Sequence, residues 1–179
     1  MQVFSSQRGV SSDIVIKPYL RPWIFGMAVI LASWVGASLL LDVVIMPEMA
    51  TGGMMRSNDF VPAGFSLFQR FNSFEILAGS LLLASGLFLI DQKQVLHKAR
   101  LTLVAIALFV IPLVYFYGLV PQMAGLGFGL EGSLTQPLSS TMDSMHTAYW
   151  GLDCFKLVCA GFYLNELWLL LKHPQSKNI

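Results

Sequence analysis

The stretch His146-Thr-Ala-Tyr149-Trp150-Gly-Leu-Asp153-Cys-Phe-Lys156 opens an apolar run that continues to about residue 171, so a carboxylate and an ammonium lie inside it. A charge at bilayer depth costs several kcal/mol unless it is paired or hydrated, and an ionisable residue there reads as a functional site by default. Wound as a helix, His146, Tyr149, Trp150, Asp153 and Lys156 fall within an arc of ~120°. Lipid cannot solvate that face, so it must turn toward protein.

The elements that position these residues follow from composition. Of 179 residues, 55% are hydrophobic and 12% charged, against about a quarter charged in an average soluble domain. The mean hydropathy is +0.66. Segments at about residues 22–46, 71–91, 101–121 and 146–171 are each long enough to cross a hydrocarbon core of ~30 Å. The sequence therefore predicts an all-α fold: a four-helix transmembrane bundle over 22–171, with tails at 1–21 and 172–179. The first apolar run is too long for a secretory signal, and no small-x-small site follows it, so an uncleaved helix is expected. Arg8, Lys17 and Arg21 precede the first segment, Lys93, Lys98 and Arg100 fill the second connection, and Lys172 and Lys177 close the chain. The positive-inside rule then puts both termini in the cytoplasm and the His146 end outside. The lipid bilayer is the implied partner. A net charge of +1 gives no reason to expect nucleic acid.

Counting depth along each segment gives the charges company. Asp42, Glu75 and Asp153 each fall roughly 8–9 Å outside the midplane, level with Tyr117 of the third segment, and Lys156 lies about 4–5 Å from it. The Lys156 stem is long enough to reach the carboxylates. The expected intramembrane polar site is therefore Asp42, Glu75, Tyr117, His146, Tyr149, Asp153 and Lys156. Three carboxylates against one ammonium leave a negative excess. Such a site carries a proton, binds a cation, or admits water. The alternative is a buried ionic network that fixes helix register without binding anything.

Met46, Met49, Met54, Met55, Met123, Met142 and Met145 gather at the outer helix ends or in the outer loops. Thioethers beside an imidazole suit Cu(I), so Met142, Met145 and His146 form a candidate copper site and copper is the one cofactor suggested. The same methionines also suit a plain adaptable surface. Phosphate-binding loops, H-E-x-x-H and a nucleophile elbow are all missing, so no catalytic residue is assigned and an enzyme is not expected. Cys154 and Cys159 point about 140° apart on one helix and cannot pair.

Small residues four apart, Ala32/Gly36, Ser33/Ala37 and Ser80/Ala84, favour close helix approach. Asn58-Asp59 before Pro62 suggests a helix start ahead of the second membrane segment. Residues 122–145, with Gly125, Gly127, Gly129 and Gly132, read as a flexible interfacial loop. Ile45-Met46-Pro47-Glu48-Met49 and Leu119-Val120-Pro121-Gln122-Met123 look alike, each with a proline expected to end its helix. Two hairpins about a pseudo-twofold axis along the membrane normal would explain the likeness; so would two independent helix stops.

Trp34-Val-Gly36 with Asp42 and Pro47, Phe65-x-x-Phe68-x-x-Phe71-Asn72-x-x-Glu75, and His146-x-x-Tyr149 with Lys156 resemble a family of four-helix integral membrane proteins. That family is grouped loosely with the bacterial copper-resistance protein D superfamily. The resemblance covers about residues 22–171. It implies a four-helix bundle in a membrane and supplies no reaction; the chain lacks the longer helix set of the copper-resistance protein itself. The functional expectation is a polar site, open to the exterior, that binds or passes a proton or a soft metal such as copper. The alternative is a structural or assembly subunit docking on other membrane subunits or on a second copy.

Overall fold

The computed structural model describes residues 19–52, 60–91, 98–130 and 140–172. Nearly all of these are helical. Helix α1 (Leu20–Leu39) runs through a π-helical stretch (Leu40–Ile45) into α2 (Met46–Thr51), and α3 spans Phe60–Asp91. Helix α4 (Lys98–Val114) runs through a second π-helical stretch (Tyr115–Leu119) into α5 (Val120–Leu130), and α6 spans Ser140–Lys172. Four continuous rods result, each long and apolar enough to cross a membrane: Leu20–Met49, Phe60–Leu89, Lys98–Gly127 and Ser140–Lys172. Helix is the form an apolar rod of this length must take in lipid, because each backbone N–H finds its acceptor within the same segment. Lipid-facing hydroxyls obey the same rule: Ser73 donates to Gln69 O, Thr102 to Lys98 O and Thr147 to Asp143 O. Asp143 in the first turn of α6 and Lys172 in its last turn complement the helix dipole.

The rods are longer than the apolar runs suggested, and the prolines do not end them. Each proline follows one widened turn. Met46 N–H donates to Leu41 O and Val120 N–H to Tyr115 O, which is π-helical spacing. A proline ring collides with the carbonyl four residues before it. Widening the turn just ahead of Pro47 and Pro121 re-aims that carbonyl, and the helix continues. The glycine-rich stretch expected as a loop from residue 122 is helical to Leu130. Gly127 explains part of this, since a Cβ there would stand 3.0 Å from Val61 Cγ1, so the glycine lets α5 lie against the start of α3. Helix α3 does begin ahead of its apolar run, at Phe60. The Asn58-Asp59 cap, Met54, Met55, Gly132 and most of both tails lie outside the described residues.

The rods form a four-membered ring in chain order with antiparallel neighbours, so the first and third lie on one diagonal and the second and fourth on the other. Arg21, Lys98, Arg100 and Lys172 gather at one end (the Lys98 end); His146 lies toward the other (the His146 end). The Arg21 guanidinium donates to Leu171 O at 2.6 Å and ties the first rod to the fourth there.

One constant shift superimposes the inward stripes of the first and third rods: Met27 on Leu101, Leu31 on Ala105, Trp34 on Leu108, Ser38 on Pro112, Leu41 on Tyr115, all buried. A second shift does the same for the other diagonal: Asn72 on Asp153, Glu75 on Lys156, Ala78 on Cys159, Leu82 on Tyr163, Leu89 on Leu170. Matched residues on that diagonal also touch. Lys156 meets Glu75 and Tyr163 O–H donates to Leu82 O, each across 81 positions of sequence, and Phe68 meets Tyr149 edge-on. Residues related by a twofold operation touch only near its axis. The bundle is thus pseudo-twofold symmetric about its long axis, as the twin Met-Pro segments suggested.

Close approach relies on different small residues from those expected. Ala32, Ser33 and Gly36 face outward, whereas Gly79 sits against α4 where a Cβ would stand 2.8 Å from Leu108 O. That carbonyl has no helical donor because the residue four ahead is Pro112, so the bend and the glycine fit each other. Gly79→Ala is expected to destabilise the bundle by about 1–3 kcal/mol through forced separation of α3 and α4. Gly36→Ala, with nothing within 4 Å, should stay within about 0.5 kcal/mol of the parent. Unfolding in mixed detergent micelles checks both.

Candidate functional site

Three rods meet on one oxygen. Trp34 Nε1 donates to Glu75 Oε1 at 2.7 Å, Lys156 Nζ donates to it at 2.8 Å, and Ser38 Oγ donates at 3.3 Å. Trp34 and Ser38 are one turn apart on α1, so the same inward stripe delivers both. Lys156 also pairs with Asp153, one turn away on α6. Asp42, from the first π-helical stretch, lies against the Asp153 carboxyl and within the field of Lys156 and Glu75. All four charged groups are withdrawn from the surface: Glu75 is 0% exposed, Lys156 2%, Asp153 3% and Asp42 6%. The charged layer expected from depth counting is therefore one contiguous cluster, with three carboxyl groups around one ammonium.

Aromatic rings cover the cluster. Lys156 Nζ stands 5.5 Å from the centroid of the Tyr115 ring, a cation–π distance. Tyr115 stacks on Tyr149 at 4.6 Å and its hydroxyl donates to Tyr149 O at 3.4 Å. Phe68 packs edge-on against Tyr149 at 5.8 Å. Toward the Lys98 end the cluster meets an apolar plug that includes Leu31, Leu82, Leu108 and Tyr163, all 0% exposed. Between plug and charges, a gap bounded by Trp34, Val35, Ser38, Leu108, Lys156 and Ala160 has no room for a water molecule. The larger cavity, about 270 Å³, opens elsewhere, between the first and second rods at Trp23, Gly26, Met27 and Leu81. It is apolar and none of the charged groups reaches it.

Of the expected residues, Asp42, Glu75, Tyr149, Asp153 and Lys156 come together. Tyr117 does not: it is 75% exposed, and Tyr115 takes the inward place. Rotation is the reason: Tyr115 continues the inward stripe of Leu101, Ala105, Leu108 and Pro112 at ordinary helical spacing, and Tyr117, two residues on, faces the other way. His146 is also outside the cluster. It is exposed, and its Nδ1 lies 2.9 Å from the carbonyl of Met142, one turn back. Trp150 faces outward at 51% exposure. Tyr149, Asp153 and Lys156 form the true inward stripe of α6, and His146 and Trp150 flank it. Met142 is buried and Met145 half-buried. Among the described residues no group of three or more His, Cys, Asp or Glu is placed to hold a metal ion. Cys154 and Cys159 are unpaired thiols, one exposed and one buried.

Four participants escaped the depth count: Trp34, Ser38, Asn72 and Tyr115. Trp34 was readable, since an indole N–H within an apolar span requires an acceptor. Asn72 was readable as a polar residue one turn before Glu75 on the same side of α3. Tyr115 was readable by rotation, as the continuation of the Leu101, Ala105, Leu108 and Pro112 stripe.

Breaking the buried pair should be costly while removing it whole should not be. Lys156→Met leaves Glu75 and Asp153 unpaired and is expected to destabilise the bundle by about 3–5 kcal/mol. Adding Glu75→Gln, which keeps an oxygen for Trp34 and Ser38, should recover a substantial part of that loss. A double-mutant cycle on detergent unfolding measures the coupling, and strictly additive effects would contradict the geometry. Comparison with protein-family models, with curated proteins and with solved structures found no match, so the chemistry of the cluster is read from its own side chains.

Proposed function

We propose that the Asp42–Glu75–Asp153–Lys156 cluster holds a small cation, with a proton the best-fitting occupant, inside a multi-pass membrane protein that is not an enzyme. The observation that carries this reading is the charge count at atomic range: three carboxyl groups and one ammonium, all withdrawn from water, with Asp42 lying against Asp153. Two facing carboxyl groups in a low-dielectric site repel each other unless a cation lies between them. Lys156 is already engaged by Glu75 and Asp153, which leaves Asp42 as the extra negative group. A proton shared by Asp42 and Asp153 needs no cavity, and the tight packing around Lys156 favours it over any larger ion.

Access is from the His146 end. The apolar plug closes the opposite side, and the gathering of Arg21, Lys98, Arg100 and Lys172 at the Lys98 end supports placing that end in the cytoplasm. The copper form of the reading is the less favoured one. The His146 ring nitrogen nearest the chain is turned to its own helix, and the packed cluster offers a soft metal only hard oxygen donors. A purely structural role is the second reading, favoured by the single observation that Glu75 Oε1 ties three rods together.

Infrared spectroscopy on the protein in bilayers separates these readings. The proton reading expects the carbonyl stretch of a protonated carboxyl group within the pH range where the protein is folded. Asp42→Asn and Asp153→Asn should each remove or shift that band, and Glu75→Gln should leave it. Absence of the band in the parent protein would favour the structural network. Titration with Cu(I) should show His146→Ala and Met142→Ala indistinguishable from the parent, whereas a loss of binding in both would place copper there.

A further inference from the structure

Buried polar atoms without a partner among the described residues concentrate on one side of α3. Four of the five are Gln69 Oε1, Asn72 Oδ1, Asn72 Nδ2 and Glu75 Oε2; the fifth, Asp153 Oδ1 on α6, is engaged in the ion pair with Lys156. Gln69, Asn72 and Glu75 are spaced three residues apart, so their side chains step toward the cluster at about 4.5 Å per step. Asn72 and Glu75 are each 0% exposed. Leaving either polar head unsatisfied in a bilayer-spanning bundle would cost on the order of a lost hydrogen bond per atom.

The pseudo-twofold relation makes the gap more specific. Across the axis from Asn72 stands its counterpart Asp153, which is paired with Lys156. Asn72 has no such ion, and both atoms of its amide lack a partner, so the conclusion does not depend on which way the amide is turned. Glu75 shows the same division within one carboxylate. Its Oε1 accepts from Trp34, Ser38 and Lys156, while its Oε2 faces away from all three donors.

The geometry points to a file of internal water along Gln69, Asn72 and Glu75 Oε2, through which the carboxyl cluster exchanges protons with the His146 side. Chemistry selects the ligand. The site presents an amide donor, an amide acceptor and carboxylate and carboxamide oxygens, and water is the small molecule that donates and accepts at once. A metal ion would be opposed by the amide N–H. A water accepting from one polar head and donating to the next spans two bonds of about 2.7–2.8 Å each, which covers one step of the ladder. Buried waters with several protein partners are ordinary structural elements. The file opens only toward the His146 end, because the ladder begins at half-buried Gln69 and stops at the charges above the apolar plug.

This inference rests on the proton reading for its function and is tested so that the two fail separately. The protein in bilayers is transferred to heavy water, and the deuterium shift of the protonated-carboxyl band is followed in time. Asn72→Leu should leave the band in place and slow its exchange by about tenfold or more, as loss of a hydrogen-bonding station implies. Asn72→Ser keeps a polar head and should exchange within about twofold of the parent. Gln69→Leu should slow exchange in the same direction, and it remains informative if Asn72→Leu does not fold. Hydroxyl-radical footprinting of the same proteins reads water directly: oxidation of Phe68 and Tyr149 should be present in the parent and fall in Asn72→Leu. Unchanged exchange and unchanged footprint in folded Asn72→Leu, or in Gln69→Leu, would overturn the water file. A missing carboxyl band with a Phe68 footprint sensitive to Asn72 would instead overturn the proton reading and keep the water.

Discussion

The bundle depends on one oxygen. Glu75 Oε1 accepts from an indole of the first rod and an ammonium of the fourth, so three of the four rods are fixed at a common level by a single atom of the second. In lipid the hydrophobic effect does not drive helices together, since the tails are as apolar as the side chains. Register among apolar rods must therefore come from close packing and from polar contacts that have no alternative partner. A carboxylate at 0% exposure has only the partners the fold provides, and sliding any of those three rods by one turn would strand it. The same dependence makes the cluster costly to break and cheap to replace as a whole, a known property of buried ion pairs.

Symmetry decides where that atom can be. Glu75 and Lys156 are counterparts under the pseudo-twofold operation, and they meet because they straddle the axis. A symmetric pair would be two like charges or two neutral groups; opposite charges at equivalent positions turn an unavoidable contact into an attractive one. Several departures from symmetry surround this contact. Asp153 stands opposite Asn72, Trp34 opposite Leu108, Ser38 opposite Pro112 and Ala160 opposite Gly79. On the second-and-third-rod side, Gly79 closes on Leu108 O; on the fourth-and-first-rod side, Ala160 leaves a narrow gap beside Lys156. One half of the bundle is thus specialised for tight packing and the other for carrying the charges.

Much of this was legible in the sequence for a simple reason. Apolar length fixes the number of rods, and rise per residue fixes depth, so Asp42, Glu75, Asp153 and Lys156 could be assigned to one layer before any contact was known. Rotation about the rod is a less robust quantity than depth. Tyr115 and Tyr117 lie at nearly the same depth, but only Tyr115 continues the inward stripe of Leu101, Ala105, Leu108 and Pro112, so depth without rotation selected the wrong tyrosine. The prolines themselves were legible and their effect was misjudged, because a proline in lipid has neighbours and turn geometry that let the helix continue. His146 failed for another reason: it shares the arc of the buried residues and is still exposed, although Met142, one turn nearer the end of the rod, is buried. Asn72 was in plain view, one turn before Glu75, and the demand for a hydrogen-bond partner was the signal it carried.

The two ends of the cluster differ in what they let through, and this bears on binding against passage. Toward the Lys98 end the next layers are Leu31, Leu82, Leu108 and Tyr163, with Tyr163 locked to Leu82 O at 2.9 Å. Toward the His146 end the next layers are Asn72, Gln69 and the Tyr115–Tyr149 stack. A proton needs hydrogen-bonded stations, and one side has them while the other has none. On the proposed proton reading, the cluster in this conformation is a terminus and not a conduit. Carriage to the far side would require the plug to part, and the cavity of about 270 Å³ between the first and second rods borders that plug at Leu82. The gap that Lys156 borders has no room for water, so the slack beside the plug lies away from the charges, and a change in their protonation would have to reach it through the packing of the first and second rods.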